Sequence, residues 1–335
     1  MSSPYLEHFG LSRNPFSATP DPRFLFLTPK HREALAALLF AVTERKGFLV
    51  LTGEAGTGKT TLIRKLLLSI PVACAQFSVI VNPVLTRSEL LESVLLDFGE
   101  KQIPASKPQR LELFRRRLLA AEAEGRTSVV VIDEAHLLTE ELMEEVRLLS
   151  NFETAEHKLV QIVLAGQSEL DRVLSLESLR QVRQRVAIRM QIDPLDESEV
   201  RLYLQSRWSR ASERPLAFSE DAITLMARAS RGIPRLLNMM ADAALVNAFA
   251  SGVHLITKTG IEEVLRDLGL APALISVRAA ALAAPDISVL SAPYPSRSAI
   301  PTAAPVIDRY APVKQDSPRR WRIASWLGLA SGGEK

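Results

Sequence analysis

Residues 48–62 read FLVLTGEAGTGKTTL, and the fold turns on this stretch. Gly53, Gly58, Lys59 and Thr60 satisfy the spacing G-x-x-x-x-G-K-[ST] without a mismatch. Before the glycines, 48–52 is an apolar run suited to a buried parallel strand. After them, TLIRKLLLSI carries its apolar residues at helical spacing. A strand, a glycine-rich turn and a helix in this order make a phosphate cradle. The glycines let the backbone turn sharply and aim its N–H groups inward, and the helix adds its positive N-terminal end. The expected cradle is Gly53, Glu54, Ala55, Gly56, Thr57, Gly58, Lys59, Thr60 and Thr61. Lys59 would bridge the β- and γ-phosphates of ATP, and the Thr60 hydroxyl would ligate Mg2+.

A second stretch, VVVIDEAH, places Asp133 at the carboxyl end of a four-residue apolar strand, where open α/β sheets bind ligands. Asp133 is expected to hold Mg2+, directly or through water, and Glu134 to polarise the water that attacks the γ-phosphate. His136 is open between a contact near the γ-phosphate and a surface position. The apolar run 159–165 ends in Gly166-Gln167-Ser168. An amide at this strand tip can orient the attacking water, which makes Gln167 a candidate sensor.

Further along, LRQVRQRVAIRMQI holds Arg180, Arg183, Arg185 and Arg189 just before a fifth strand. A guanidinium there can reach the γ-phosphate of an adjacent subunit, because it stays charged and binds phosphate through two parallel hydrogen bonds. Arg185 is the first choice and Arg183 the second; either implies a homo-oligomer with sites at its interfaces. Gly232-Ile233-Pro234-Arg235 starts a helix with Pro in the first turn. Arg235 is expected to face the nucleotide and to couple its γ-phosphate to closure of a lid.

Apolar runs at 75–81, 128–132, 159–165 and 187–192 alternate with helical patterns, which predicts an α/β fold with a parallel sheet covered on both faces. Asp193-Pro194-Leu195 marks a boundary, and Asp196 with Glu199 opens the first of four helices with no strand pattern between them. The expected domains are a packed arm (1–30), a nucleotide-binding α/β domain (31–193), an all-helical lid (194–271) and a Pro/Ala/Ser-rich, mostly disordered tail (272–335). In the arm, Pro15, Pro20, Pro22 and Pro29 forbid a long helix, while Phe9, Leu11, Phe16, Phe24 and Phe26 are too apolar for a free end. An extended arm against the nucleotide domain is expected, either lining part of the adenine pocket or simply packing there. Met226, Met239 and Met240 read as helix packing.

The chain of 335 residues carries a net charge of +3, but the charge is unevenly placed. Eight bases and four acids fall from Pro272 on, leaving 33 bases and 34 acids before it. The folded part is therefore close to neutral, which gives little support for binding duplex DNA. One cysteine, Cys74, excludes an internal disulfide, and a buried, inert thiol is expected beside its strand. No signal peptide or membrane span is legible, which predicts a cytoplasmic protein. Within the tail, Arg319, Arg320 and Arg322 stand beside Ile323, Trp326 and Leu327. Residues 319–329 could dock weakly on an anionic membrane surface or on a protein, or pack back on the body.

Phosphate loop, Asp-Glu strand, polar strand tip, arginines before the fifth strand and G-x-P-R together resemble an AAA+ ATPase over residues 30–270. The stretch FGLSRNPFSATPDPRFLFLTPKHREALAAL followed by GFLVLTGEAGTGKTTL, with LVQIVLAGQSEL, LRQVRQRV and GIPRLLN, resembles the ExeA (general secretion pathway protein A) family. The resemblance implies a P-loop NTPase sheet in the order 5-1-4-3-2 and ATP-driven, oligomeric assembly. Partners would be envelope secretion, pilus or exopolysaccharide export proteins, reached at the inner-membrane surface. Longer members carry a transmembrane helix and a peptidoglycan-binding domain after the ATPase, where this sequence has its Pro/Ala-rich tail. Other short relatives resemble transposition helper ATPases of the TniB type, which makes a DNA-binding helper the alternative. A slow nucleotide switch acting as a scaffold is the third reading.

Overall fold

The computed structural model describes residues 3–17, 22–71 and 73–270. Its five strands are β1 (Phe48–Gly53), β2 (Ala75–Ile80), β3 (Thr127–Ile132), β4 (Val160–Gly166) and β5 (Val186–Ile192). They form one sheet in the order β2-β3-β4-β1-β5, with every neighbouring pair parallel. This is the expected order, read from the other edge. Parallel strands need long crossovers, and the helices supply them. In chain order, α1 (Pro4–Phe9) lies in the arm, and α2 (Pro29–Thr43) and α3 (Lys59–Ser69) flank β1. Next come α4 (Arg87–Phe98), α5 (Lys107–Ala123) and α6 (Glu140–Leu149). Short helices α7 (Glu169–Leu174) and α8 (Arg180–Arg183) connect β4 to β5. After the sheet come α9 (Glu197–Ser209), α10 (Glu220–Ser230), α11 (Pro234–Ala250) and α12 (Lys258–Asp267).

The residues of β1, β2 and β4 are all buried, as strands covered on both faces must be. One face presents Phe48, Val50, Val130, Ile132, Ile162 and Leu164 to the apolar sides of α4, α5 and α6. The other presents Leu49, Leu51, Val129, Val131, Val163 and Ala165 to α2 and α3. Strand β5, at the sheet edge, is only partly covered. The alternation of inward and outward side chains therefore gives each strand two cores, and the carboxyl ends of β1, β3 and β4 are left to carry polar residues. Helix α9 starts at the Asp196–Glu199 capping box read from the sequence, with both reciprocal hydrogen bonds formed.

The arm departs from expectation. Phe9, Leu11, Phe16 and Phe24 do not pack on the nucleotide domain; they join one core with Tyr203, Trp208, Phe218, Met226 and Leu237 of the helical domain. Both faces of the sheet are already covered by α2–α6, whereas α9–α12 leave an apolar side that the arm's aromatics fill. Part of the arm is helical rather than extended: α1 starts with Pro4 in its first turn, where the missing N–H costs nothing. Polar staples fix the seam. Arg207 of α9 donates to the Pro15 carbonyl and lies over the Phe24 and Tyr203 rings, 5.2 and 5.4 Å from their centroids. Arg210 donates to the carbonyls of Arg23 and Leu25, both at 2.8 Å. Asn14 donates to Asp242 of α11, also at 2.8 Å.

Two smaller expectations are also corrected. Cys74 is exposed, because it ends a turn on the Pro71 carbonyl just before β2 begins. Met226 and Met240 are fully buried, but Met239 faces outward at 41% exposure, one helical step round from Met240. Among the described residues no helix is long and apolar enough to cross a membrane. The tail, with its basic segment 319–329, lies outside the described residues.

Candidate active site

The phosphate loop leaves the end of β1 and enters α3 through Gly58, whose φ of +107° is left-handed. Lys59 is 7% exposed and curls back into the loop, donating to the carbonyls of Gly53 at 2.8 Å and Glu54 at 2.9 Å. The Thr57 hydroxyl donates to the Glu54 carbonyl at 2.9 Å and braces the turn from inside. Burial pushes the Lys59 ammonium below its ordinary pKa, and the nearby carboxylates of Glu134 and Asp133 oppose that shift. Glu54 and Ala55 are exposed at the rim, and Gly56, Thr60 and Thr61 are half-buried along the cradle.

Asp133 follows β3 and is 2% exposed. Its Oδ2 accepts the Thr60 hydroxyl at 2.8 Å and its Oδ1 accepts the Glu134 N–H at 3.0 Å. Burial raises the Asp133 carboxyl above its ordinary range; those two hydrogen bonds pull the other way. Thr60 and Asp133 fit a hard divalent cation. Both offer oxygen, and their 2.8 Å spacing is close to the ~3 Å between adjacent ligands of an octahedral Mg2+.

Glu134 has φ +53°, in the left-handed region that a glutamate rarely enters, so the turn after β3 holds it under strain. Its Oε2 is shielded from solvent, with the His136 Nδ1 at 3.5 Å. The Gln167 amide at the tip of β4 lies 3.3 Å from the His136 Nε2. His136 thus stands between Glu134 and Gln167, two residues expected to act on the same water. Of the two readings left open for it, the surface one does not hold: its side chain is 12% exposed.

Arg235 reaches the loop from the helical domain. A Cβ built on Gly56 (φ +85°) would lie 2.8 Å from the Arg235 Cβ and 3.0 Å from Ile233, so the loop and the start of α11 touch. Gly232 (φ +73°) lets the chain pass under Leu195, whose N–H donates to the Gly232 carbonyl at 2.9 Å. That bond ties the connection after β5 to the turn carrying Arg235.

The arginines before β5 are not brought to this loop. Arg183 donates to the carbonyls of Leu174 and Ser175, at 3.3 and 3.0 Å. Arg185 donates to the Ser150 hydroxyl at 3.1 Å, past the end of α6. Arg180 pairs with Glu177 at 3.6 Å, and Arg189, which lies within β5 rather than before it, pairs with Asp171 at 3.4 Å.

Beside the phosphate loop opens a cleft of about 570 Å³, counting the space that meets solvent. It is lined by Phe24, Leu25, Phe26 and Leu27 of the arm, by Tyr203, Arg207 and Pro234 of the helical domain, and by His31, Thr57, Gly58 and Thr61. The arm thus both packs in the core of α9–α12 and lines this cleft. His31, Tyr203 and Arg207 were not singled out by any motif. Each joins the cleft through contacts between distant parts of the chain, which leave no spacing rule in the sequence.

A family profile described as an AAA domain matches residues 42–174, from the end of α2 to the end of α7. Over 254 residues, 75% of its length, the chain is 42% identical to general secretion pathway protein A of Aeromonas hydrophila. This chain carries an AAA domain and is similar to general secretion pathway protein A. It spans 46% of that relative's length. Among solved structures, the ORC2 protein of Aeropyrum pernix, in ADPNP–ADP complexes, superposes with a TM-score of 0.60 at 14% identity, covering 76% of this chain and 71% of that one. Drosophila ORC bound to DNA gives 0.60 at 19% identity, covering 81% and 68%. At such low identity these likenesses establish the AAA+ P-loop ATPase fold, in agreement with the order of the sheet.

Proposed function

We propose that this chain hydrolyses ATP with Mg2+, as an oligomer, to drive assembly of a cell-envelope secretion, pilus or exopolysaccharide export system. The observation that carries the hydrolysis is the convergence of Lys59, the Thr60–Asp133 pair, Glu134, His136 and Gln167 at the carboxyl edge of β1, β3 and β4. The loop N–H groups and Lys59 bind the triphosphate; on binding, Lys59 exchanges the Gly53 and Glu54 carbonyls for phosphate oxygens. Thr60 and Asp133 would hold the metal, which supplies positive charge against the phosphate oxygens. Glu134 takes a proton from the attacking water while the Gln167 amide fixes its lone pair in line. Arg235 senses the γ-phosphate from the helical domain. Arg185 serves the site of a neighbouring subunit; in its own chain its guanidinium lies on the Ser150 hydroxyl.

The export role is supported by 42% identity to general secretion pathway protein A; in that role the chain would work at the cytoplasmic face of the inner membrane. It is tested by Mg-ATP turnover of the full chain alone, with anionic phospholipid vesicles, and with duplex DNA at two salt concentrations. Vesicle stimulation that disappears on deleting 272–335 is the expected result. Salt-sensitive stimulation by DNA would replace the export role with the transposition-helper one. Turnover no higher than that of Lys59→Ala would overturn the hydrolysis itself.

A further inference from the structure

The outer side of the phosphate loop is held by a histidine. His31, in the first turn of α2, is 6% exposed, and its Nε2 lies 3.2 Å from the Thr57 carbonyl oxygen. Its Nδ1 lies 2.7 Å from the Thr28 hydroxyl oxygen, which also accepts the His31 backbone N–H at 3.2 Å as the N-cap of α2. These three contacts admit one assignment of hydrogens to the neutral ring. A carbonyl oxygen only accepts, so Nε2 carries the hydrogen. Nδ1 is then bare and takes the Thr28 hydroxyl hydrogen, and the Thr28 oxygen keeps a lone pair for the backbone N–H. Burial favours this neutral ring by pushing the His31 pKa down, against the pull of the Thr57 carbonyl.

The contact has a consequence across the peptide plane. The bond between Thr57 and Gly58 is trans, so its C=O and N–H point in opposite directions. With the Thr57 oxygen turned outward to His31, the Gly58 N–H is turned inward, at the start of α3 where a phosphate is to be bound. The Thr57 side chain, 1% exposed and tied to the Glu54 carbonyl, cannot fix this peptide by itself, because its bond braces the turn one peptide earlier.

We infer that His31 is a positioning residue for nucleotide binding: its Nε2–H, oriented by the Thr28 hydroxyl, holds the Thr57 carbonyl out of the cradle and aims the Gly58 N–H into it. The inference rests on the nucleotide-site reading above and names a residue outside the phosphate-loop motif on which that reading depends. It predicts a particular order among substitutions. In His31→Gln the side-chain amide nitrogen reaches the place of Nε2 and keeps the donor. In His31→Asn the amide ends near the place of Nδ1 and cannot reach Thr57. In His31→Phe the volume stays and the donor is gone.

The test is titration calorimetry of the full chain with ATP and, separately, ADP, each with Mg2+, alongside a thermal melt of every variant. His31→Asn and His31→Phe are expected to weaken both nucleotides about tenfold, the range of one lost hydrogen bond, while His31→Gln stays within about twofold of the unaltered chain. The comparison is made among folded variants, and either His31→Asn or His31→Phe serves if the other melts early. A His31→Phe or His31→Asn chain that binds ATP as the unaltered chain does would overturn the inference, as would a His31→Gln chain no better than His31→Phe. The underlying reading fails differently: the unaltered chain would then bind ATP no more tightly than Lys59→Ala.

Discussion

Replacing Phe16 by alanine tests whether the arm is part of the helical domain's core. Phe16 is 1% exposed and meets the Phe218 ring edge-on, at 6.1 Å between centroids and 86° between planes. Truncating a fully buried phenylalanine removes its transfer free energy and leaves a cavity, together ~3–5 kcal/mol, within which the edge-to-face pair accounts for ~1 kcal/mol. With a urea dependence of ~2 kcal/mol/M, a loss of about 4 kcal/mol lowers the midpoint by about 2 M. Trp208 is the reporter: it is 2% exposed, in the same cluster, 6.5 Å from Phe218. The other two tryptophans, Trp321 and Trp326, are first replaced by phenylalanine so that emission follows this core alone. A midpoint shift below about 0.5 M would refute the claim, because an arm resting on the surface would lose little when one ring is removed.

Three further substitutions separate the proposed roles. Arg185→Ala is expected to leave ATP affinity unchanged and to lower turnover of the assembled protein by at least a hundredfold, measured by phosphate release. Full activity would assign the role to another arginine or to none, whereas Arg183→Ala is expected first to loosen the segment it staples at Leu174 and Ser175. Asp133 gives two opposite pH dependences. Its folded pKa is raised by burial, so in the nucleotide-free chain it contributes stability in acid that is lost as pH rises through that pKa. Holding Mg2+ requires the carboxylate, so Mg-dependent ATP affinity falls as pH drops through the same pKa, which lies above the ordinary 3.8. Comparing unfolding and Mg-ATP titrations with those of Asp133→Asn isolates both limbs; identical pH profiles for the two proteins would contradict the assignment.

What was legible in the sequence follows from how local each constraint is. The phosphate loop imposes backbone angles that only certain residue types meet, so Gly53, Gly58, Lys59 and Thr60 announce it. The buried strands announce themselves as apolar runs, and their alternation with helices fixes a parallel sheet. The aromatic content of the arm shows that Phe9, Phe16 and Phe24 are buried, but nothing in a periodic pattern says against which domain, and the nucleotide domain was the wrong partner. Cys74 illustrates the same limit at short range: a residue beside a core strand is exposed when a turn intervenes. His31 and Arg207 act through contacts 26 and 192 residues away in sequence, to Thr57 and Pro15, and such pairings become visible only in three dimensions.

Turnover of bound ATP rests on the residues after β3. The most direct measurement is ATP binding and phosphate release by Glu134→Gln beside the unaltered chain, with Mg2+ present. Glu134→Gln is expected to bind ATP as tightly as the unaltered chain and to release phosphate at least a hundredfold more slowly, leaving the ATP-bound state trapped. Unchanged phosphate release would contradict it, because the water would then be activated by some other group.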